Sequence, residues 1–469
     1  MCVVSLLHGH IEDMKKNSWI PLVLFFAFSL SSSAQTKQWT LQECVSYAID
    51  HNISIKQTVL DTETASIEKK GALGNFLPSV NASASHSWNI GLNQDITTGL
   101  LQNKTTQFTS AGVSVGVDIY KGLQNQNALR KAKLSIIASQ YQLTKMQEDI
   151  ALNVANAFLQ VLFNKENLKV QNEQMLINEK QLTRSQELVN AGTIPRGDLL
   201  DIKATLASDN QKVITAENAL LISKLSLAQL LQLDSFEDFD VVDDTKAKDE
   251  NNILAQNPTV IYAKAKEGRT ELKIAQTNLE IAEKNVAIAK GGFQPTLQGF
   301  YNFNSRISYS DIALRDSNGA IIGVQSAPPF FNQFSDNKGQ SYGMQLNIPI
   351  FNGFSAKNNV ERSKVSLEKS KIALEQQNLD LQRNVYTAFA DAKGALKSHE
   401  SALIALESRQ ASYDYAKDKF DVGLMNSFDL NQSQTLLSDA QSEVLRSKYD
   451  YIFKIKILEF YFGIPIIKN

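Results

Sequence analysis

From Leu123 to Ala191 the chain contains neither glycine nor proline, and from Ser355 to Val422 it contains no proline and a single glycine, Gly394. Inside a helix proline costs about 3 kcal/mol and glycine about 1 kcal/mol, so their absence permits long uninterrupted helices. Both runs are rich in Ala, Leu, Gln, Lys and Glu, the good helix formers. At 1.5 Å rise per residue each run would span roughly 100 Å, too long for the interior of a compact domain. Helices of that length belong to a coiled coil or to the wall of a tube. Leu152, Ala155, Leu159, Leu162 and Phe163 fall on one face, and Leu168, Met175 and Leu182 continue it at heptad spacing. The rest of the surface is mostly Gln, Asn and Ser, which suits a water-filled interior.

The chain repeats once. Gly122-Leu123 matches Gly353-Phe354, Gly192 matches Gly423 and Asp198-Leu199 matches Asp429-Leu430, each pair 231 residues apart. Phe76 and Pro78 match Phe293 and Pro295 at an offset of 217, so 14 residues are inserted between Pro295 and Gly353. Asn52 is paired with Asn257. The two units are 35–232 and 253–469. Between them, 233–252 is acidic and breaks the helical pattern, and it reads as a linker.

Each long run is preceded by period-two sequence. Val80, Ala82, Ala84, His86, Trp88 and Ile90 alternate with Asn and Ser, and Val113, Val115, Val117 and Ile119 with Ser114, Gly116, Asp118 and Tyr120. In the second unit Leu297, Gly299, Tyr301 and Phe303, then Tyr342, Met344, Leu346, Ile348 and Ile350, do the same. These predict hairpins at about 79–120 and 295–351, with loops Gly91–Gln107 and Tyr309–Gly339. Segments of about ten residues with aromatics near their ends resemble tilted membrane-spanning strands. An ordinary sandwich hairpin with one wet face has the same alternation. Four strands, arriving as two hairpins between long helices, are few for a sandwich.

Lys15 and Lys16, the apolar run Trp19–Leu30 and Ser31-Ser32-Ser33-Ala34 form a secretory signal peptide over 1–34, with cleavage after Ala34. Met14 marks a second candidate start, which would make 1–13 an over-extension; an uncleaved anchor is the alternative for the apolar run. Cleavage removes Cys2 and leaves Cys44, which lies in no lipoprotein context and reads as a buried helix residue. With 47 Lys and Arg against 49 Asp and Glu, the net charge of −2 argues against nucleic acid. A mean hydropathy of −0.22 and a single apolar run exclude a polytopic helical membrane protein. The sequence holds no catalytic constellation, no metal-spaced pair and no phosphate loop, so no enzyme, cofactor or metal is expected.

Four strands cannot close in lipid, where every open edge leaves backbone groups unpaired. Other copies must complete the barrel. Two copies would give eight strands, a barrel filled by its own side chains, whereas three give twelve and a pore. A periplasmic coiled-coil adaptor or structural protein shares the long helices but has no use for the hairpins, and a passive porin would need strands throughout.

The sequence resembles the TolC-like outer-membrane efflux family. The resemblance rests on Thr40-Leu41-Gln42-Glu43-Cys44-Val45-Ser46-Tyr47-Ala48 with Asn52, Phe76-Leu77-Pro78 and its copy Phe293-Gln294-Pro295, and Ile348-Pro349-Ile350-Phe351-Asn352-Gly353. The helix–turn–helix segments Ala191–Leu200 and Val422–Leu430 complete it. It implies an α+β chain: duplicated long-helix hairpins forming a periplasmic α-helical barrel, with four strands per protomer in a trimeric twelve-stranded outer-membrane barrel. It also implies an exit duct in the outer membrane, reaching into the periplasm, for a tripartite efflux or type I secretion system. The partners would be two further copies, a periplasmic adaptor, an inner-membrane pump and outer-membrane lipid. Gly192, Pro195, Arg196, Asp198, Gly423, Asn426, Ser427 and Asp429 map to the adaptor-facing tips; equally, Gly and Asp there suit a purely structural turn, Gly leaving one helix and Asp capping the next. Asp414, Lys417, Asp418 and Asp421 map to the tunnel gate, or to a solvated helix face.

Overall fold

The structure, a computed structural model, describes residues 37–95, 99–235, 239–243, 252–464 and 466. The expected signal peptide lies outside the described residues. After β1 (Lys37–Trp39) come α1 (Leu41–His51) and α2 (Ile53–Gly74), then β2 (Ser79–Gln94) and β3 (Leu101–Lys121). The long α3 (Gln124–Asn190) descends to a turn and α4 (Arg196–Leu231) returns. After β4 (Phe239–Val241) the same series recurs: α5 (Pro258–Gly268), α6 (Thr270–Gly291), β5 (Thr296–Ser308), β8 (Gly339–Asn347), α8 (Ser355–Asp421) and α9 (Ser427–Phe462). The connection from β5 to β8 carries a small hairpin, β6 (Ile312–Arg315) and β7 (Ile321–Gln325), and a short helix, α7 (Phe330–Asp336).

Corresponding helices are equal in length. They have 11 residues in α1 and α5, 22 in α2 and α6, 67 in α3 and α8, and 36 in α4 and α9. The first two pairs start 217 apart, which corrects one match made above. Asn52 caps α2 and corresponds to Arg269, which precedes α6, while Asn257 corresponds to Thr40. The error arose because both asparagines are N-caps, donor-satisfying residues that recur at helix starts without being equivalent.

Two apolar clusters lie where the short helices cross the long ones. In the first, Val154, Phe158 and Val161 of α3 are wholly buried with Cys44 and Val45 of α1, Leu227 and Leu231 of α4, and Phe239 and Val241 of β4. The single-face reading of this stretch was too narrow, since Leu152 is half-buried and residues on the other side are buried deepest. Surrounded by α1, α4, α9 and β4, α3 is apolar nearly all round here. The second cluster joins Ile253, Ile261, Leu381, Val385, Ala392, Ile455 and Leu458.

The acidic stretch 233–252 is more than a solvated linker. Its β4 pairs in parallel with β1, Trp39 opposite Val241, and Asp240 receives Lys165 at 2.7 Å and Lys224 at 3.2 Å. Phe239, Asp240 and Val241 form a minimal in–out–in strand, a signal hidden by the acidic composition around it. Burial pushes the Asp240 carboxyl up, but the hydrogen bond and charge of Lys165, with Lys224, overcome it and hold the group below the usual aspartate range.

Candidate functional site

The main sheet is antiparallel, in the order β2-β3-β5-β8, and ends at β2 and β8. Its register sorts the side chains by face. Val80 lies opposite Val115, Val115 opposite Tyr301 and Tyr301 opposite Tyr342, and Ala82, Val113 and Phe303 follow the same parity. On the other face Asn81 meets Ser114, Ser114 meets Asn302 and Asn302 meets Ser341, flanked by Ser83, Gly112 and Asn304. Over these pairs one face is aliphatic and aromatic, and the other is Ser, Asn and Gly with Phe300 among them. The apolar face is not packed against a core: Val80, Ile90, Tyr342, Met344 and Leu346 are all exposed. A sheet with a bare apolar face and a bare polar face suits lipid on one side and water on the other. The strands run further than the alternation suggested. β2 continues to Gln94 and β3 begins at Leu101, so most of the expected loop 91–107 is ladder.

Below the sheet the helices form two antiparallel hairpins whose turns carry the expected tip residues. Gly192 (φ 72°) and Gly423 (φ 77°) take the left-handed conformation that ends α3 and α8, as the sequence indicates. The aspartates do not cap. Pro195 and Asn426 occupy the N-cap positions, and the Asn426 side chain accepts from the Asp429 N–H at 2.8 Å. Asp198 and Asp429 stand in the first turn, where a carboxylate complements the helix dipole. Gly192, Pro195, Arg196, Gly423, Asn426 and Asp429 are exposed and Asp198 is half-buried, whereas Ser427 is buried. Ser427 thus faces the neighbouring helix and not the surface of the tip.

The gate candidates separate in the same way. Asp421 accepts from the Arg184 guanidinium at 2.7 Å, tying the end of α8 to α3, and the same guanidinium lies 5.9 Å from the Phe420 ring centre. Asp414 accepts from Gln410 at 3.0 Å within its own helix. Lys417 and Asp418 are exposed on the same helix. Burial, then the carboxylates of Asp414 and Asp421, push the Tyr413 phenol up and keep it neutral.

Sequence reasoning missed Arg184 and a polar seam above it. In the tipward half of α3 the buried positions are Gln174, Asn178 and Ser185 rather than the heptad Leu168, Met175 and Leu182, which are half-buried. On α9 they include Ser427, Asn431, Gln434 and Ser438. Gln171 donates to Ser442 at 3.3 Å, which fixes the antiparallel register. From that contact Gln174, Asn178, Gln181 and Ser185 come level, within one residue, with Ser438, Gln434, Asn431 and Ser427. Asn178 also donates to the buried Asp209 of α4. Asn178 Oδ1, Gln181 Nε2, Ser185 Oγ, Ser427 Oγ, Asn431 Oδ1 and Gln434 Nε2 are buried without a hydrogen bond. Polar side chains thus fill this seam where apolar ones fill the clusters above it. The four-three-four spacing of small polar residues was the available signal.

Among the described residues no group of three His, Cys, Asp or Glu side chains is placed to hold a metal ion, and no helix is long and apolar enough to cross a membrane.

Comparison with known proteins agrees with this architecture. The outer membrane protein TolC of Vibrio cholerae is 22% identical over 446 residues, covering 93% of each chain. The crystal structure of the outer membrane protein VceC from Vibrio cholerae matches with a TM-score of 0.72 at 14% identity, over 90% of this chain and 96% of that one. The Campylobacter jejuni CmeC outer membrane channel matches with a TM-score of 0.71 at 18% identity, over 90% and 85%. The sequence model of the outer membrane efflux protein family matches residues 44–232 and 261–456. The chain therefore belongs to the outer membrane efflux protein family, as an efflux channel of the outer membrane that extends into the periplasm.

Proposed function

We propose that three copies of this chain close into one conduit, a twelve-stranded barrel continued by a periplasmic helical tube. In this reading it conducts passively what an inner-membrane pump and a periplasmic adaptor deliver, and it catalyses nothing. Each of the units 35–232 and 253–469 supplies one sixth of the ring.

The observation that carries this is a set of contacts made once within the protomer and left open at the repeat-related positions. Between the repeats, Tyr120 hydrogen-bonds to Gln294, Glu148 accepts from Thr270 at 3.1 Å, and Gly122 presses on Gly291. A Cβ at Gly122 would stand 2.3 Å from the Gly291 carbonyl oxygen, and its φ of 56° favours glycine in any case. Moving the first partner forward 231 and the second back 217 gives Phe351 with Leu77, Leu379 with Ile53, and Gly353 with Gly74. Phe351 (76% exposed), Leu77 (67%), Leu379 (55%) and Ile53 (56%) are bare, and nothing lies within 4 Å of a Cβ at Gly74 or Gly353. Two polar pairs inside the protomer thus become two apolar pairs at the open positions. Complementary bare surfaces related by an internal repeat are those that a neighbouring copy covers. The sheet's edges at β2 and β8 call for the same neighbours.

The tip residues Gly192, Pro195, Arg196, Asp198, Gly423, Asn426 and Asp429 form the adaptor-facing end, with Ser427 acting from within the helix pair. Asp421, held by Arg184, serves as the gate contact, and Asp414, Lys417 and Asp418 line its approach. The α3–α9 seam, polar where the clusters above it are apolar, makes this end the easiest to open. Single-channel conductance in planar bilayers tests the proposal. The purified protein should conduct, and Asp421→Asn should raise its resting conductance. An unchanged conductance removes Asp421 from the gate, and a protein that never conducts is no duct.

A further inference from the structure

The longer of the two strand connections carries α7, which docks along β5 beyond the end of β8, with Phe334 against the face that carries Phe303. Ser305 Oγ donates to the Phe334 carbonyl at 2.8 Å, and Asn337 donates to the Arg306 carbonyl at 2.7 Å. The buried Gln333 accepts from the Ser308 N–H at 3.0 Å and donates to the Ser308 and Pro328 carbonyls at 2.9 and 2.7 Å. The Phe303 and Phe334 rings lie 6.1 Å apart, and Ile307 beneath is wholly buried. Phe303, Ser305 and Ile307 share the parity of Val113 and Val115, the face that carries the aliphatic and aromatic side chains lower down. The helix is fastened through its backbone and Gln333; Phe330 stacks beside Phe334 at 6.4 Å and is 41% exposed, and Phe331 points away, 81% exposed.

The same face continues sideways at the same height. Ser308 lies opposite Phe108, and Trp88 opposite the adjacent Gln107. His86 stacks edge-on with Trp88 at 4.2 Å and with Tyr309 at 5.6 Å, and Trp88 and Ile90 are exposed. An aromatic band thus runs from β2 through Tyr309 to α7 along the far end of the apolar face. In α7 itself Phe330, Phe331 and Phe334 oppose Asn332, Ser335 and Asp336, the two-sided pattern of a helix lying at a membrane interface.

We propose that α7 is an interfacial anchor, seated at the boundary between acyl chains and headgroups in the outer leaflet of the outer membrane, with Phe330 and Phe331 inserted among the acyl chains. This rests on the reading that the apolar face of the sheet meets lipid.

Fluorescence quenching tests both separately. The protein purified after signal cleavage, which removes Trp19, is reconstituted in phosphatidylcholine vesicles, with and without bromine on the acyl chains. In the wild-type chain Trp88 reports the sheet, while Trp39 lies buried among the helices as a constant background. In a Trp88→Phe background, Phe331→Trp reports α7. The expected result is a blue-shifted emission that loses most of its intensity to brominated lipid and little to aqueous acrylamide. A red-shifted emission quenched by acrylamide places α7 in water and overturns the anchor. Emission quenched by neither shows that protein covers it, a neighbouring copy included, and also overturns the anchor. If wild-type Trp88 itself escapes brominated lipid, the fault lies with the reading of the sheet.

Discussion

Leu379→Glu places a carboxylate at the position whose repeat counterpart, Glu148, already carries one, but opposite Ile53 of a neighbouring copy instead of Thr270 and Arg269. Leu379 is about half-exposed in the protomer, so closing the seam buries the other half, worth about 1 kcal/mol of the 1.5–3 kcal/mol for a whole side chain. A carboxylate shut in without a partner costs about 3–5 kcal/mol more. The change is thus roughly 4–6 kcal/mol per seam, and three identical seams multiply it. The barrel strands would still hold the copies together, so the effect belongs in the helical tube. Far-UV circular dichroism should show the helices melting at a markedly lower temperature, and limited proteolysis should cut α8 and α2 first. Adding Ile53→Lys gives the charge a partner and should restore part of the loss, while Ile53→Lys alone should destabilise. An unaltered melt in Leu379→Glu, or a double variant no better than the singles, refutes the pairing.

Two further outcomes follow from buried charges. Arg269, itself buried, holds Glu148 at 3.1 Å and Glu271 at 2.7 Å and stacks 3.9 Å from the Phe460 ring centre. Arg269→Met strands both carboxylates and should cost about 3–5 kcal/mol in a denaturant titration, with Glu271→Gln added to the variant recovering part of it. For Asp240, whose folded-state pKa is depressed, the contribution to stability is present above the ordinary aspartate pKa of about 4 and is lost as pH falls through the lower folded value. Amide exchange in β1 and β4 should therefore accelerate below about pH 4 in the wild-type chain, and Asp240→Asn should abolish that step.

The long helices and the strands were legible because one kind of residue decides each. Glycine and proline are absent from α3, and strict alternation marks β2 and β3. The turns were legible in position but not in chemistry: Gly192 and Gly423 end their helices, yet Asn426 and Pro195 take the caps assigned to aspartate. β4 escaped notice because three residues are too few for a periodicity. Arg184 escaped because its partner, Asp421, is distant in the chain, and no local pattern reports a contact between helices. The polar seam was misread because heptad leucines draw attention to the wrong stripe. Trimer closure was inferred from strand number, but the positions that realise it, Leu379 with Ile53 and Phe351 with Leu77, emerge only when the two repeats are superposed.

Ile53→Cys and Leu379→Cys, introduced together and treated with a short bis-maleimide in the native outer membrane, put the assembly to its most direct test. Each single variant controls for the remaining Cys44, which is buried. The double variant should run as a covalent trimer on a denaturing gel while either single variant stays a monomer. A double variant that remains monomeric under conditions that label both cysteines would contradict the ring.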